Sequence, residues 1–192
     1  MVVGMADGAI EEVEVTYKGE IMEVSTGLLT TAVVKGMLNP ILEDTVNYVN
    51  APSLAKDRGI TVTERKQKES KHYESLISVR IKAGGKELTV AGTLFGTEGR
   101  IVRINKFRVD VDPHARLLVC PHTNRPGIIG AVGTLLGRAN INISGMQVGR
   151  TEIEGTNIMV LTIDHDIPGD MLEKVKAIDG IFGAKLVNFY AI

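Results

Sequence analysis

The chain has 192 residues, 44% hydrophobic and 23% charged, which fits a globular protein of one or two domains. Its 22 Lys+Arg against 23 Asp+Glu leave a net charge of −1, and aromatics are only 4%; this argues against duplex DNA, single-stranded nucleic acid and anionic membrane surfaces as partners. One cysteine, Cys120, excludes a disulfide framework and a cluster of cysteine ligands, and four scattered histidines (His72, His114, His122, His165) offer no metal spacing, so no metal is expected.

No apolar run approaches the ~20 residues of a bilayer helix, and the start lacks a basic signal-peptide region, so a reducing, cytoplasmic setting is expected. Ile10 to Tyr17 alternates Ile/Val with Glu, as a half-buried strand does, and Lys18-Gly19-Glu20 turns it into a second run, Ile21 to Val24. Leu28, Leu29, Ala32, Val33 and Leu38 predict a helix from about Thr26, and a short helix is expected near Leu54 to Arg58. Strand-like runs follow at Ile60–Thr63, Ser75–Ala83, Lys86–Phe95, Arg100–Ile104 and Arg108–Val111, with Gly84-Gly85 as a hairpin turn. This is an α+β sheet domain. The break Val111-Asp112-Pro113-His114-Ala115 is read as its end, giving domains 1–113 and 114–192.

The second domain opens with a strand, Arg116 to Cys120, and a loop, Pro121 to Gly127, in which Asn124 can cap a helix and Pro126 suits its first turn. Ile128, Ile129, Val132, Leu135, Leu136 and Ala139 form one helical apolar stripe. Asn140 and Asn142 close that helix and open a strand through about Thr151; Glu152 to Gly155 turns it into Thr156–Ile163. A second helix carries Met171, Leu172, Val175 and Ile178 on one face and stops at Asp179-Gly180, and Ile181 to Tyr190 closes as a strand. The order βαββαβ is the ferredoxin-like split βαβ arrangement, with both helices on one face of an antiparallel sheet.

The loop His122-Thr123-Asn124-Arg125-Pro126-Gly127 converges what an amino-acid zwitterion needs: a positive helix N-terminus, an amide that donates or accepts, and an imidazole to donate to the carboxylate. The same residues also fit a plain cap beside an exposed strand end. Asn142 opens a strand expected at a sheet edge, and its run Ser144 to Arg150 lacks edge-protecting charges, so a two-fold partner can pair there and bring Asn142 to the other chain's loop; Asn142 also fits a simple turn residue. Gly127, Gly130, Gly133 and Gly137 suggest close approach of another backbone, since each mid-helix glycine costs roughly 0.5–1 kcal/mol. Arg100, Arg103, Lys106 and Arg108 form a basic cluster that fits either a small anion or a solvated surface. Gly-x-Gly-x-x-Gly, Walker-A and Gly-x-Ser-x-Gly motifs are absent, and no acid/base pair stands out, so no catalytic residue is assigned.

Leu118 to Ser144, reading Leu-Val-Cys-Pro-His-Thr-Asn-Arg-Pro-Gly-Ile-Ile-Gly through to Asn-Ile-Asn-Ile-Ser, resembles an ACT domain, that of the D-3-phosphoglycerate dehydrogenase family in particular. Ala6-Asp7-Gly8-Ala9-Ile10-Glu11 and Val46 to Ile60 resemble the same family's allosteric substrate-binding (intervening) domain, so the likeness spans nearly the whole chain. The resemblance implies a regulatory part of an enzyme that oxidises 3-phosphoglycerate with NAD in serine synthesis and is inhibited by L-serine held between ACT domains of a homo-oligomer. It assigns the effector contacts to His122, Asn124, Arg125, Pro126 and Gly127 of one chain and to Asn142 and Ile143 of its partner. It also matches Arg100, with Lys106 and Arg108 beside it, to an anion site. No catalytic or nucleotide-binding residues of the family are found here, so this chain alone is expected to bind no NAD and turn over no substrate. Two other readings stand beside it: a free-standing ACT-type amino-acid-binding protein, and an accessory part of an L-serine dehydratase, which the lone Cys120 disfavours.

Overall fold

A computed structural model describes residues 1–42, 45–70, 72–150 and 155–189. They form two compact units that divide between Asn105 and Lys106, except that Met1 and Val3–Met5, the latter in a one-turn helix, α1 (Val2–Met5), belong with the second.

In the first unit, strands run in the order β2-β1-β3-β4-β5. β1 (Ile10–Gly19) is paired in parallel with β2 (Thr61–Gln67) and antiparallel with β3 (Ser75–Ala83); β4 (Lys86–Phe95) and β5 (Glu98–Ile104) continue as hairpins. Helices α2 (Gly27–Leu38) and α3 (Ala51–Asp57) form the β1–β2 crossover. The alternation in β1 separates two chemistries, as period 2 requires. Val13, Val15 and Tyr17 are fully buried, and the Tyr17 hydroxyl sits 2.7 Å from Thr30 Oγ1 on α2. From the other face Glu14 meets Arg65 at 2.6 Å and Arg80 at 3.3 Å, and Arg80 meets Glu87 at 2.7 Å.

Two expectations change here. Ile21 to Val24 is not a strand: Glu20–Glu23 is a 3-10 turn. Gly19 turns the chain at φ 78°, and the Glu20 amide donates to Glu74 O at 2.9 Å; a Cβ on Gly19 would strike that same carbonyl. Helix α3 starts three residues earlier than its apolar residues suggest. Asn47 and Asn50 make a web of side-chain bonds to backbone that delivers the chain to Pro52 in the first turn.

β6 (Phe107–Val111) packs against strands of the second unit, which is why the division falls ahead of the Val111–Ala115 break. That unit holds β7 (Arg116–Thr123), α4 (Ile128–Arg138), β8 (Ile143–Arg150), β9 (Thr156–Ile163), α5 (Gly169–Lys176) and β10 (Lys185–Asn188). The sheet is antiparallel in the order β10-β7-β9-β8, the expected split βαβ topology with β8 at an edge. On the helix-covered face, Leu118 faces Leu161 and Cys120 faces Met159, and these pack with Val132 and Leu136 of α4 and Met171 and Val175 of α5. Ile128, Val132 and Leu136 repeat every four residues and are each no more than 2% exposed; burying each contributes roughly 1.5–3 kcal/mol.

β7 runs three residues further than expected, through Pro121, because proline there gives up no ladder bond. The Pro121 carbonyl accepts from Phe182 N at 2.8 Å, so its nitrogen faces the same side, beyond the Arg116–Val119 stretch that β10 pairs. β10 is shorter than the run from Ile181: Ile181 makes an isolated bridge with His122, and the strand resumes at Lys185. The end of the β8 run at Thr151, the Glu152–Glu154 turn and Tyr190 lie outside the described residues.

Candidate functional site

The apolar column on the helix-covered face ends in two polar residues. Directly after Leu118/Leu161 and Cys120/Met159, the next facing pair is His122 and Asn157, 2% and 5% exposed. His122 was expected at an exposed strand end, but it lies inside the extended β7, and burial is a demand for partners. Nδ1 lies 2.7 Å from the Thr123 carbonyl. A carbonyl oxygen only accepts, so Nδ1 carries the proton, and in the neutral ring Nε2 is left as a bare acceptor. Nε2 has no hydrogen-bond partner and is the buried side-chain nitrogen or oxygen in that condition among the described residues. In the neutral ring that free nitrogen suits an ammonium or hydroxyl, and in the protonated ring it donates to a carboxylate.

Asn124 is not the helix cap. Gly127 is, in the left-handed region at φ 92°, and no side chain caps α4 nor any acidic residue occupies its first turn. Asn124 instead accepts through Oδ1 from Asn157 Nδ2 at 3.0 Å, and its own amide hydrogen goes to Gly155 O at 3.0 Å. Its Nδ2 remains a donor. Pro126 and Gly127 are exposed between Arg125 and the helix. Arg125 reaches Asp179, with Nη2 at 2.7 Å from Asp179 Oδ2 and 3.1 Å from Asp179 O. That guanidinium holds the Asp179 carboxyl below its ordinary range. The Asp179–Gly180 turn also takes the Thr123 amide at 2.8 Å, and Gly180, at φ 90°, leaves no room for a Cβ beside Thr123 and Ile128.

Within one chain Asn142 does not join this group. It precedes Ile143, which faces Ile163 at one end of β9, whereas His122 faces Asn157 at the other. Six strand residues separate the two levels, about 20 Å. Asn142 is exposed and donates to Asp164 Oδ2 at 2.5 Å; this bond and one from Ser144 hold the Asp164 carboxyl below its ordinary range. Ile143 is half-buried beside it.

The basic cluster is divided. Arg100 lies on β5 of the first unit, while Lys106 and Arg108 belong to the second. Arg100 and Arg108 already interact with other groups, and Lys106 Nζ lies 5.5 Å from the centre of the Phe107 ring. Cys120 is buried, and burial pushes its thiol up to about 12, so it is unsuited to act as a nucleophile. No group of three or more metal-ligating side chains occurs among the described residues, nor any helix long and apolar enough to cross a membrane.

Asn157 was missed in the sequence reading. The signal was a single amide in the otherwise apolar run Asn157-Ile158-Met159-Val160-Leu161, where a buried polar side chain requires a specific partner.

Residues 1–105, more than half of the chain, match the family model described as the D-3-phosphoglycerate dehydrogenase intervening domain. The chain belongs to that family. Residues 117–180 match the ACT domain model. Over 183 residues the chain is 42% identical to a D-3-phosphoglycerate dehydrogenase of Archaeoglobus fulgidus, covering 94% of this chain and 35% of that protein. It is 36% identical over 188 residues to one of Methanocaldococcus jannaschii (98% and 36% covered), and 36% identical over 180 residues to one of Bacillus subtilis (93% and 34%). The chain thus spans about a third of the length of these relatives, and what it shares with them is the regulatory pair of an intervening domain and an ACT domain.

Proposed function

We propose that this regulatory pair senses L-serine at an interface between two ACT domains and passes that signal, as feedback inhibition, to the NAD-dependent oxidation of 3-phosphoglycerate by a parent dehydrogenase in the cytoplasm. The carrying observation is the buried His122 with an unpartnered Nε2, next to an uncapped helix end and an amide with a free donor. These are three complementary demands: an acceptor for ammonium or hydroxyl, and a positive helix tip and an N–H donor for a carboxylate. An amino acid with a hydroxyl meets all three.

The edge position of β8 supports a cross-chain site. β8 runs from Ile143, level with Ile163, to Arg150, level with Asn157 and hence with His122. When two copies of β8 pair antiparallel about a two-fold, the Ile143 end of one lies level with the Arg150 end of the other. That register carries Asn142 of one protomer from the wrong end of its own sheet to the His122 end of its partner's. Serine bound there favours the paired arrangement by its differential affinity, and the paired arrangement biases whatever is attached to it.

Calorimetric titration tests this reading. The full chain binds L-serine, binds glycine and L-alanine more weakly, and shows a dimer in the bound state. His122→Leu and Asn142→Ala each lose binding, yet an equimolar mixture of the two recovers about a quarter of the wild-type sites, because each mixed dimer rebuilds one intact site from the two unmutated side chains. A silent mixture, or wild-type affinity in either variant, overturns the cross-chain site.

A further inference from the structure

We infer that Asn157 is a positioning residue that fixes the polarity of the His122 site, so that the site accepts a ligand carrying a free carboxylate and rejects the same ligand as an amide. The inference rests on the amino-acid-binding reading above and goes beyond it, since Asn157 is assigned no contact with ligand. An asparagine side chain is nearly symmetric in shape but not in chemistry: one end donates and the other accepts. Free in solvent, Asn124 would present either end. Asn157 ties that choice to its own orientation, because whichever end it turns to Asn124 decides which end Asn124 keeps free. It sits 5% exposed at the end of the core column, opposite His122 on β7, and its Nδ2 donates to Asn124 Oδ1 at 3.0 Å. With the acceptor end of Asn124 occupied, its donor end is what remains.

His122 is constrained in a similar way: Nδ1 is spent on the Thr123 carbonyl, and in the neutral ring Nε2 is left as the acceptor. The backbone adds rigidity, since the Asn124 amide is tied to Gly155 O two residues before Asn157. As the side chains stand, one buried amide and one backbone carbonyl thereby leave a donor on Asn124 and an acceptor on His122 in the loop that leads into α4. Arg125 is held off by Asp179 and leaves carboxylate recognition to Asn124 and the helix tip.

The test compares L-serine with L-serinamide by calorimetry on the full chain, with melting temperature as the check on folding. Wild type prefers L-serine by at least about tenfold, the worth of one well-placed hydrogen bond to a charge. Asn157→Leu, close in volume but without a donor, frees Asn124 to turn and brings the ratio to about threefold or less. Asn157→Asp, whose ionised carboxylate only accepts, turns the Asn124 donor inward and drives the ratio below that of the Leu variant. Asn157→Ser keeps a donor and retains a preference above that of the Leu variant. Should either the Leu or the Asp variant fail to fold, the other decides together with Ser. Folded variants that all keep the wild-type ratio overturn the inference. A wild type that binds no amino acid overturns the sensing reading instead, so the two failures are distinct.

Discussion

The two sheets of this protein differ in how completely one buried polar side chain in each is answered. In the first unit the buried Tyr17 hydroxyl is met by Thr30, and Thr26, 3% exposed, donates to Glu64 at 2.9 Å. Glu14 is shared between Arg65 and Arg80. Each of these groups is answered from within the chain. In the second unit the ring of His122 is buried as completely and answered at one nitrogen only. An unmet buried acceptor costs roughly 1–3 kcal/mol, and in the reading proposed above a bound amino acid meets it.

The largest effect comes from breaking the apolar column on which the His122–Asn157 pair rests. Met159 is fully buried between the sheet and both helices. Met159→Ala should cost about 2–5 kcal/mol, read as a fall in the urea midpoint at constant slope. A smaller but sharper contrast comes from removing one polar group from each sheet. Tyr17→Phe deletes a hydroxyl and strands Thr30, so it should lower stability by about 1–2 kcal/mol. His122→Leu removes the unmet Nε2 together with the Nδ1 bond to the Thr123 carbonyl, so relief of the one offsets loss of the other and stability should stay within about 1 kcal/mol of wild type, while amino-acid binding is abolished. If the histidine variant were the less stable of the two, the distinction drawn between the sheets would not hold.

How much of this was legible beforehand follows from which forces leave a periodic trace. Ile128, Val132 and Leu136 mark a helix by their spacing alone, and Val13, Val15 and Tyr17 mark a strand, because burial of one face is written directly into the order of residues. The order βαββαβ then limits the sheet to few topologies. What spacing did not carry was the end of β7. Pro121 reads as a break, and it is tolerated only because β10 has ended beside it, a fact of pairing between strands 60 residues apart. With β7 cut short, His122 became a loop residue and Asn124 a cap, and Asn157 across the sheet had nothing to face. The glycines of α4 were read as room for another backbone. Within the described residues nothing comes within 4 Å of a Cβ built on Gly130, Gly133 or Gly137, so none of those residues makes the close approach expected there.

The smallest expected effect concerns the Arg125–Asp179 pair, which steadies the loop from outside. Its partners are exposed, 54% and 88% at the side chain, and exposed pairs are weak and screened by salt. The Arg125 guanidinium nonetheless lowers the Asp179 carboxyl below its ordinary range, by hydrogen bond first and charge second. A carboxyl lowered in the folded state binds protons less readily than in the unfolded chain, so its contribution is full above the ordinary aspartate value of about 4 and disappears as pH falls through the lowered folded one. Melting temperatures of wild type and Asp179→Asn, followed from pH 7 down to pH 2.5 at low salt, should therefore differ slightly at the neutral end and converge at the acid end. A gap that widened toward low pH would mean that Asp179 destabilises the fold as a carboxylate, and that Arg125 does not hold it.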